Sequence, residues 1–260
     1  MIVLKTEEEM ALMRDASKYL SWLHEMIARE IQPGITTGQL NALAEELIED
    51  SGYTSSFKGY NGFPAVLCTS VNDCVVHGIP SGYVLKEGDI ISIDCGVARE
   101  GVHSDSAFTH PVGQVCEEVS KLLHATHKAL CHGLAQMRPG NRVGDISFAI
   151  QNCVENAGYS VVRELVGHGI GRNLHEAPQV PNYGRAGAGP KLKAGMALAV
   201  EPIANFGHAG VWIDQKGQYR TKDGSVSAHF EHTAIIATDK QSEVLTTHTY
   251  ISEEFTSQHG

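Results

Sequence analysis

The chain of 260 residues lacks paired cysteines, long apolar runs and any block of basic residues. No C-x-x-C pair occurs, and six scattered cysteines are typical of free thiols in a reducing compartment rather than of a disulfide framework. No run approaches the roughly 20 consecutive apolar residues that a membrane-spanning helix needs. The N-terminus turns acidic at Glu7 and has no apolar core of a signal peptide. These absences predict a cytoplasmic protein that does not enter a membrane.

Acidic residues outnumber basic ones, 30 to 20, which gives a formal net charge of −10 at pH 7. This balance, with no basic patch in the sequence, argues against nucleic acid as a direct ligand. It does not exclude a docking contact with a ribonucleoprotein such as the ribosome. A chain of this length can bury about three quarters of its unfolded surface in one core without disulfides or a structural metal. Length alone permits one or two domains, and the internal repeat described below favours a single domain over residues 1–260.

The first 52 residues have the pattern of two amphipathic helices. Thr6 and the glutamate three residues later form a predicted capping box, and apolar residues recur at helical spacing up to the Pro-Gly pair at 33–34. A second helix is predicted from Thr36 or Thr37 to Gly52, which can adopt the positive φ of a C-cap. The buried face of the first helix is predicted to carry Met10, Met13, Ala16, Leu20, Leu23 and Ile27.

This helix pair recurs later in the chain. Four groups of residues in and beside these helices recur at an offset of 106 residues (139 − 33). The first set is Pro33-Gly34, Gly38, Glu49 and Gly52-Tyr53, and the second set is Pro139-Gly140, Gly144, Glu155 and Gly158-Tyr159. The motif Leu-Lys-x-Gly begins at residue 85 and again at residue 192, an offset of 107 (192 − 85). Two independent segments with nearly the same offset predict an internal duplication, with halves at about 5–113 and 114–250. Residues 178–190, rich in Gly, Pro and Asn, are predicted to form a surface loop, and residues 244–247 a short strand.

Each half also carries the same ordered set of polar residues. His-Gly-Ile is followed by Leu-Lys-x-Gly, then by an apolar run that closes on a carboxylate, and then by His-x-carboxylate. A carboxylate at the end of a buried strand is unfavourable unless it is paired or bound to a metal. The set comprises Asp94 and Asp105 from the first half, and His168, Glu201 and Glu231 from the second.

Four carboxylates that converge on one imidazole require cations, because they cannot all stay ionised side by side. This donor set suits divalent Mn, Fe, Co or Zn rather than a thiolate-rich structural zinc site. Two such ions that share an oxygen ligand stabilise an attacking water and a developing oxyanion. His77 and His175 lie outside the ligand set and suit contacts to a scissile amide or a substrate amine. The sequence therefore predicts a dinuclear site for hydrolysis.

Eight short segments carry motifs of high specificity: Lys58 to Pro64, Cys68 to Asn72, Val76 to Pro80, Gly167 to Arg172, His175 to Pro178, Glu201-Pro202, Thr221 to Asp223 and Phe230 to Thr233. Together they resemble the bacterial type I methionine aminopeptidases, over almost the whole chain. The resemblance implies a mixed α/β (α+β) pita-bread fold of the creatinase/aminopeptidase type, with two pseudo-symmetric halves around a central antiparallel sheet. It also implies removal of the N-terminal methionine from nascent polypeptides with a small second residue, by a hydroxide that bridges two metal ions.

The resemblance assigns a role to each metal-binding position. Asp94 would bind one ion through both carboxylate oxygens. Asp105 and Glu231 would bridge the two ions, and His168 with Glu201 would complete the second coordination sphere. Glu201 would also act as the general base and acid that handles the proton of the attacking water.

The resemblance also assigns the substrate contacts. His175 would stabilise the oxyanion of the tetrahedral intermediate, and His77 would contact the amide nitrogen or the following residue. The pocket for the methionine side chain would be lined by Tyr60, Phe63 and Cys68. We expect a monomer that acts on the N-terminal peptide of nascent chains.

Some positions depart from the pattern of the family. Leu174 stands where an aromatic residue is common, Asn61 where a histidine is frequent, and His229 where a glutamine is frequent. The tryptophan that commonly precedes Thr-Lys-Asp is replaced by the run 217–220, and Trp212 is not aligned with it. None of these positions is a predicted metal ligand. The departures therefore affect the expected shape of the methionine pocket rather than the expected chemistry.

Two alternatives share the predicted fold. Xaa-Pro aminopeptidases have the same five ligand types, but they usually carry an additional N-terminal domain, whereas only a short helix precedes the repeat here. The pocket segment from Tyr60 to Cys68 also favours methionine. A non-catalytic peptide-binding relative is the second alternative, and loss of a metal ligand would be its sign. All five ligand positions are intact in this sequence.

Overall fold

The computed structural model describes residues 1–238 and 242–248, which form a mixed α/β structure. The helices are α1 (Glu7–Glu30), α2 (Thr37–Glu49), α3 (Glu117–Leu134) and α4 (Val143–Asn156), with a 3₁₀ turn at Tyr60–Gly62. The strands are β1 (Thr54–Ser55), β2 (Leu67–Val71), β3 (Cys74–Val76), β4 (Ile90–Arg99), β5 (Val102–Pro111), β6 (Ser160–Val161), β7 (Val166–Gly169), β8 (Glu176–Pro181), β9 (Ala197–Val200), β10 (Ile203–Asn205), β11 (Val211–Ile213), β12 (Tyr219–Thr221), β13 (Ser227–His229), β14 (Glu231–Ile235) and β15 (Glu243–Val244). In the part of the chain that the structure describes, no helix is long and apolar enough to cross a membrane.

Nine strands form one antiparallel sheet in the order β1-β4-β5-β14-β9-β7-β8, with β2 also paired to β4 and β15 to β14. Strands of the first half occupy one side of this order and strands of the second half the other. The halves meet where β5 pairs with β14, with Glu231 opposite Ala107 and His232 opposite Ser106. Two three-stranded sheets, β13-β10-β6 and β11-β12-β3, complete the described strands.

The first two helices form as the sequence predicts. In α1 the Thr6 hydroxyl accepts from the Glu9 amide at 3.2 Å, and the Glu9 carboxylate accepts from the Thr6 amide at 3.0 Å. Thr36 and Gln39 form the same reciprocal cap on α2. These caps satisfy amide groups that have no partner within the helix. All six predicted apolar residues of α1 are buried, because this face packs against the central sheet.

The duplicated segments make equivalent backbone contacts. The Gly34 amide donates to the Leu85 carbonyl at 2.8 Å, and in the second half the Gly140 amide donates to the Leu192 carbonyl at 3.3 Å. Glycine recurs at positions 38 and 144 because a backbone carbonyl from another part of the chain lies close to each of these residues. A Cβ at position 38 would lie 2.9 Å from the Ser81 oxygen, and one at position 144 would lie 2.8 Å from the Ala188 oxygen. The exact boundaries of the halves stay a prediction, and residues 249 and 250 lie outside the described residues.

Two predicted elements need correction. The sequence predicts a surface loop over residues 178–190, but residues 178–181 belong to β8, and Val180 is buried in the core. β8 is the last strand in the order of the described sheet, so only one of its sides pairs with a neighbouring strand. The other side needs no backbone amide donor, and an edge strand therefore tolerates proline. A strand is also predicted over 244–247, whereas β15 covers only Glu243–Val244.

Candidate metal centre and substrate pocket

All ten residues predicted for the site line one cavity of about 510 Å³. They are the five candidate ligands and the five candidate substrate contacts: Asp94, Asp105, His168, Glu201, Glu231, Tyr60, Phe63, Cys68, His77 and His175. The sequence positions span 172 residues (231 − 60 + 1), so only the folded chain brings them together.

The five candidate ligands come from five consecutive strands of the large sheet. In the spatial order β4-β5-β14-β9-β7, the strands supply Asp94, Asp105, Glu231, Glu201 and His168. Glu201 lies one residue beyond the end of β9. Alternate residues of a strand share a face, so one residue from each neighbouring strand can reach a common point. The apolar runs noted in the sequence form buried strands, and the candidate ligands lie in these strands or directly after them.

Three of the ligands form a compact group. One ligand atom each from Asp105, His168 and Glu231 lies within 4.8 Å of the others. The His168 Nε2 atom is 4.0 Å from an Asp105 oxygen and 3.7 Å from a Glu201 oxygen. The other ring nitrogen, Nδ1, lies 3.0 Å from the Gly169 carbonyl. A proton on Nδ1 that is donated to this carbonyl leaves the lone pair of Nε2 directed at the carboxylates.

Burial disfavours charge throughout this group. It raises the pKa of Asp105 to about 7. The pKa values of Asp94, Glu201 and Glu231 are also raised well above the usual range, first by burial and then by the neighbouring carboxylates. The pKa of His168 falls to about 4, because burial and the nearby His175 oppose a positive charge. The site therefore holds a neutral imidazole and carboxylates that need either protons or cations.

The donor set fits divalent metal ions. Within residues 1–238 and 242–248, Asp94 Oδ1 and Glu231 Oε1 are buried without a hydrogen-bond partner. Buried oxygens of this kind are unfavourable unless a further ligand satisfies them. Carboxylate oxygens together with one imidazole are ligands that Mn, Fe, Co and Zn accept. The unpartnered oxygens and the chemistry of the neighbouring donors both agree with occupation by such ions.

His175 lies at the mouth of the cavity and contacts two aromatic rings. Its Nδ1 atom is 2.7 Å from the Tyr60 hydroxyl, and its ring centroid is 4.3 Å from that of His168. If the Tyr60 hydroxyl donates to Nδ1, the ring proton lies on Nε2. This tautomer can donate a hydrogen bond to a group bound in the cavity.

The two His-Gly-Ile motifs differ in local structure although their sequences match. His168 belongs to β7, whereas His77 follows β3 and has a φ of 60°. Its ring makes an edge contact with Tyr219, with centroids 5.6 Å apart. Burial and then the charge of His175 lower the pKa of His77. His77 is thus a neutral side chain in the wall of the cavity.

The predicted methionine pocket contains two aromatic rings, of Tyr60 and Phe63, and the thiol of Cys68. Burial and the charge of Asp94 raise the pKa of Cys68 well above its usual range, so this side chain is a neutral thiol. Of the departures from the family pattern, Leu174, Asn61 and His229 line the cavity. Trp212 does not line it and is 47% exposed. Lys216 and Gly217 contribute to the wall instead.

His229, predicted to affect only the shape of the pocket, also lies beside two of the candidate metal ligands. Its Nε2 atom lies 3.7 Å from a Glu201 oxygen and 3.8 Å from a Glu231 oxygen. The side chain is buried, and burial lowers its pKa to about 3. The signal was available, because His229 stands two residues before Glu231 in the His-x-carboxylate motif. Lys216 and Glu164 also line the cavity, but no motif in the sequence marks them.

Comparison with known proteins places this site in a family. Residues 11–238 match the model of metallopeptidase family M24. The chain belongs to metallopeptidase family M24. Peptides are the substrates of this family and divalent metal ions its cofactors, in agreement with the cluster of Asp105, His168 and Glu231.

Similar M24 proteins cover almost the whole chain. The methionine aminopeptidase of Clostridium perfringens is 51% identical over 237 residues, which are 91% of this chain and 95% of that protein. The crystal structure of methionine aminopeptidase from Thermotoga maritima is 41% identical, has a TM-score of 0.93, and is matched over 95% of this chain and all of that one. The predicted pita-bread fold is confirmed.

A more distant structure shares the M24 fold alone. The prolidase from Pyrococcus horikoshii is 21% identical with a TM-score of 0.77, and the match covers 94% of this chain but 63% of the prolidase. The resemblance to methionine aminopeptidases is therefore stronger both in sequence and in the share of each chain that is matched.

Proposed function

We propose that this M24 metallopeptidase is a methionine aminopeptidase, which removes the N-terminal methionine from nascent polypeptides with a small second residue. The observation that carries the proposal is the convergence of five candidate ligand residues, from five consecutive strands, beside the aromatic rings of Tyr60 and Phe63. The high identity to a methionine aminopeptidase over nearly the full length of both chains supports the same activity.

The proposed ligand set is Asp94, Asp105, His168, Glu201 and Glu231. Asp105 and Glu231 belong to the two strands that pair at the junction of the halves, and they would be the two central ligands of this set. We expect two ions, of Co, Mn, Fe or Zn. When bound, such ions act as Lewis acids that polarise the substrate carbonyl and lower the pKa of water.

Three side chains are proposed to carry out the remaining steps. Glu201 accepts the proton of the attacking water and delivers it to the leaving amine. His175 donates a hydrogen bond from Nε2 to the oxygen of the tetrahedral intermediate, where preorganised donors are most effective. His77 contacts the scissile amide nitrogen or the residue that follows it. Tyr60 assists by holding the proton of His175 on Nε2.

The pocket accounts for the proposed specificity. Tyr60, Phe63 and Cys68 offer two aromatic rings and a neutral thiol to the methionine side chain. The second residue of the substrate must lie beside the metal ligands, and a large side chain there would prevent productive positioning. We expect the protein to act as a monomer in the cytoplasm, on chains that emerge from the ribosome.

The test is hydrolysis by metal-stripped protein to which Mn, Fe, Co or Zn is returned separately. Peptides that begin Met-Ala, Met-Lys and Ala-Pro distinguish the candidate functions. Release of methionine from Met-Ala alone supports the proposal. Cleavage of Ala-Pro alone would assign an Xaa-Pro aminopeptidase, and metal uptake without cleavage would favour a non-catalytic binding protein.

Variants of the two central ligands test the site itself. Asp105→Ala and Glu231→Ala should each abolish hydrolysis and weaken metal binding in the same protein, because each removes a carboxylate from the centre of the proposed ligand set. A control is Glu243→Gln, an exposed carboxylate in β15 that pairs with Arg14 on the surface. Normal turnover in either Asp105→Ala or Glu231→Ala would contradict the assignment.

A further inference from the structure

The loop that carries His175 is buried in the core at Ile170 and Leu174, but the imidazole itself has few contacts. It joins β7 to β8, and the His175 side chain is exposed at the cavity mouth. The Tyr60 hydroxyl and the His168 ring contact the imidazole, but Tyr60 is itself 39% exposed. The position of the ring therefore depends also on the backbone of the loop.

A buried ion pair lies at the base of this loop. The Lys5 ammonium contacts the carboxylate of Glu176, the residue directly after His175. The two side chains are only 3% and 9% exposed. The second oxygen of Glu176 accepts from the Asn173 amide at 3.1 Å. One carboxylate thus joins the end of the loop both to its middle and to the N-terminal segment.

Lys5 is held firmly in place. Its backbone amide donates to the Gly195 carbonyl at 2.7 Å, and the cap of α1 begins at the next residue. A Cβ at Gly171 would lie 2.5 Å from the Lys5 ammonium, so glycine at this position leaves room for the side chain as it is placed. A second ion pair, between Glu9 and Arg172 at 3.0 Å, joins the first turn of α1 to the start of the loop.

The energetics of burial suggest a role beyond stability. A buried Lys–Glu pair loses solvation on both charges, and apolar residues of the same size commonly give equal or greater stability. Such a pair does hold its two residues at a fixed distance and orientation. Here it holds the N-terminal segment at a fixed distance from the backbone beside His175.

We infer that Lys5 is a positioning residue for the reaction: its buried ion pair with Glu176 fixes the place of the His175 imidazole over the cavity. This inference rests on the proposed function of His175. Lys5 contacts no residue of the ligand set and is absent from the lining of the cavity within the described residues. Its effect on turnover must therefore pass through the loop.

The main test variant is the neutral pair Lys5→Met with Glu176→Gln. Lys5→Met alone leaves a buried carboxylate unpaired and risks unfolding, whereas the double change keeps both side-chain lengths and leaves no charge. Arg14→Met is the matched control, because Arg14 also belongs to α1 and forms an ion pair with Glu243, away from the loop. Each variant is made with His175 present and with His175→Ala.

Steady-state kinetics on a Met-Ala peptide, with the metal-loaded enzyme, give the first readout. The neutral pair should lower kcat by on the order of 10-fold to 10²-fold, as small misplacements of a reacting group do. KM and bound metal should stay within a factor of about two. In the His175→Ala background the same change should cause no further loss, since the group that Lys5 positions is absent.

Hydrogen exchange of metal-free protein gives a readout that does not depend on activity. The amide of Asn173 should exchange faster in the neutral pair, and it should be unchanged in Arg14→Met. An equal loss of kcat with and without His175 would overturn the inference, as would full activity of the neutral pair. Failure of the proposed function differs from both, because the unaltered enzyme would then release no methionine or His175→Ala would keep full turnover.

Discussion

A cluster of buried histidines gives the most quantitative prediction. His24 in α1 is fully buried, and its Nε2 atom lies 3.0 Å from the Ser106 carbonyl. His248 makes an edge contact with it at 5.1 Å between centroids, and its own Nε2 atom lies 3.0 Å from the Ser106 hydroxyl. Burial lowers the pKa of His24 to about 4, against an ordinary value of 6.5. The folded protein therefore keeps this ring neutral at pH values where the unfolded chain protonates it.

The expected effect follows from proton linkage. Between pH 6.5 and about 4 the unfolded chain binds more protons at His24 than the folded protein does, so stability falls as the pH falls through this window. At about pH 5 the loss is about 2 kcal/mol relative to neutral pH, and it approaches about 3 kcal/mol below the folded pKa. His110, with a pKa lowered to about 3 by burial and by His24, adds a loss of the same sign.

The variant His24→Gln isolates one of these contributions. A glutamine amide can still donate to the Ser106 carbonyl but does not titrate. Urea unfolding, followed by tryptophan fluorescence at about pH 7.5 and about pH 5, gives the stability of each protein. The free energy of unfolding of the wild-type protein, taken relative to that of the variant, should be about 2 kcal/mol lower at the lower pH than at the higher pH. His132→Gln, at an exposed position of α3, serves as the control. A difference that stays the same at both pH values would refute the reasoning.

Other perturbations test the site and the fold. His175→Ala should lower kcat by on the order of 10²-fold through loss of an oxyanion donor, while mass spectrometry finds the bound metal unchanged. Tyr60→Phe should lower kcat about fivefold, the value of one lost hydrogen bond, and a normal kcat would exclude its role in holding the His175 proton. Removing the metal with a chelator should lower the midpoint of thermal unfolding at neutral pH, because buried carboxylates lose their cations. Gly144→Ala should destabilise the protein by about 1–3 kcal/mol, since its Cβ would lie 2.8 Å from the Ala188 oxygen, whereas Gly82→Ala, with nothing within 4 Å, should not.

Much of the site could be predicted because its signals are local and repeated. The apolar runs that end on Asp94 and Glu201 are strands in the structure, and each places its carboxylate at the cavity. The cap at Thr6 is correct because it depends only on neighbouring residues. The offset of about 106 residues predicts a duplicated fold, and the recurring contacts of Gly34 and Gly140 follow it.

Features that depend on distant partners could not be predicted in this way. Lys5 and Glu176 are 171 residues apart, and no pattern in the sequence links them. The strand β8 was mistaken for a loop because its prolines are acceptable only at an edge, and the sheet order decides where the edge lies. The loop around Lys216 lines the cavity through the pairing of β12 with β3, which the sequence does not reveal.

The pairing of β5 with β14 makes the candidate metal centre a property of the whole sheet. Two of the five candidate donors lie before that seam and three lie after it. A chain cut between β5 and β14 would therefore leave an incomplete donor set in each piece, and metal uptake would require the two pieces to reassemble.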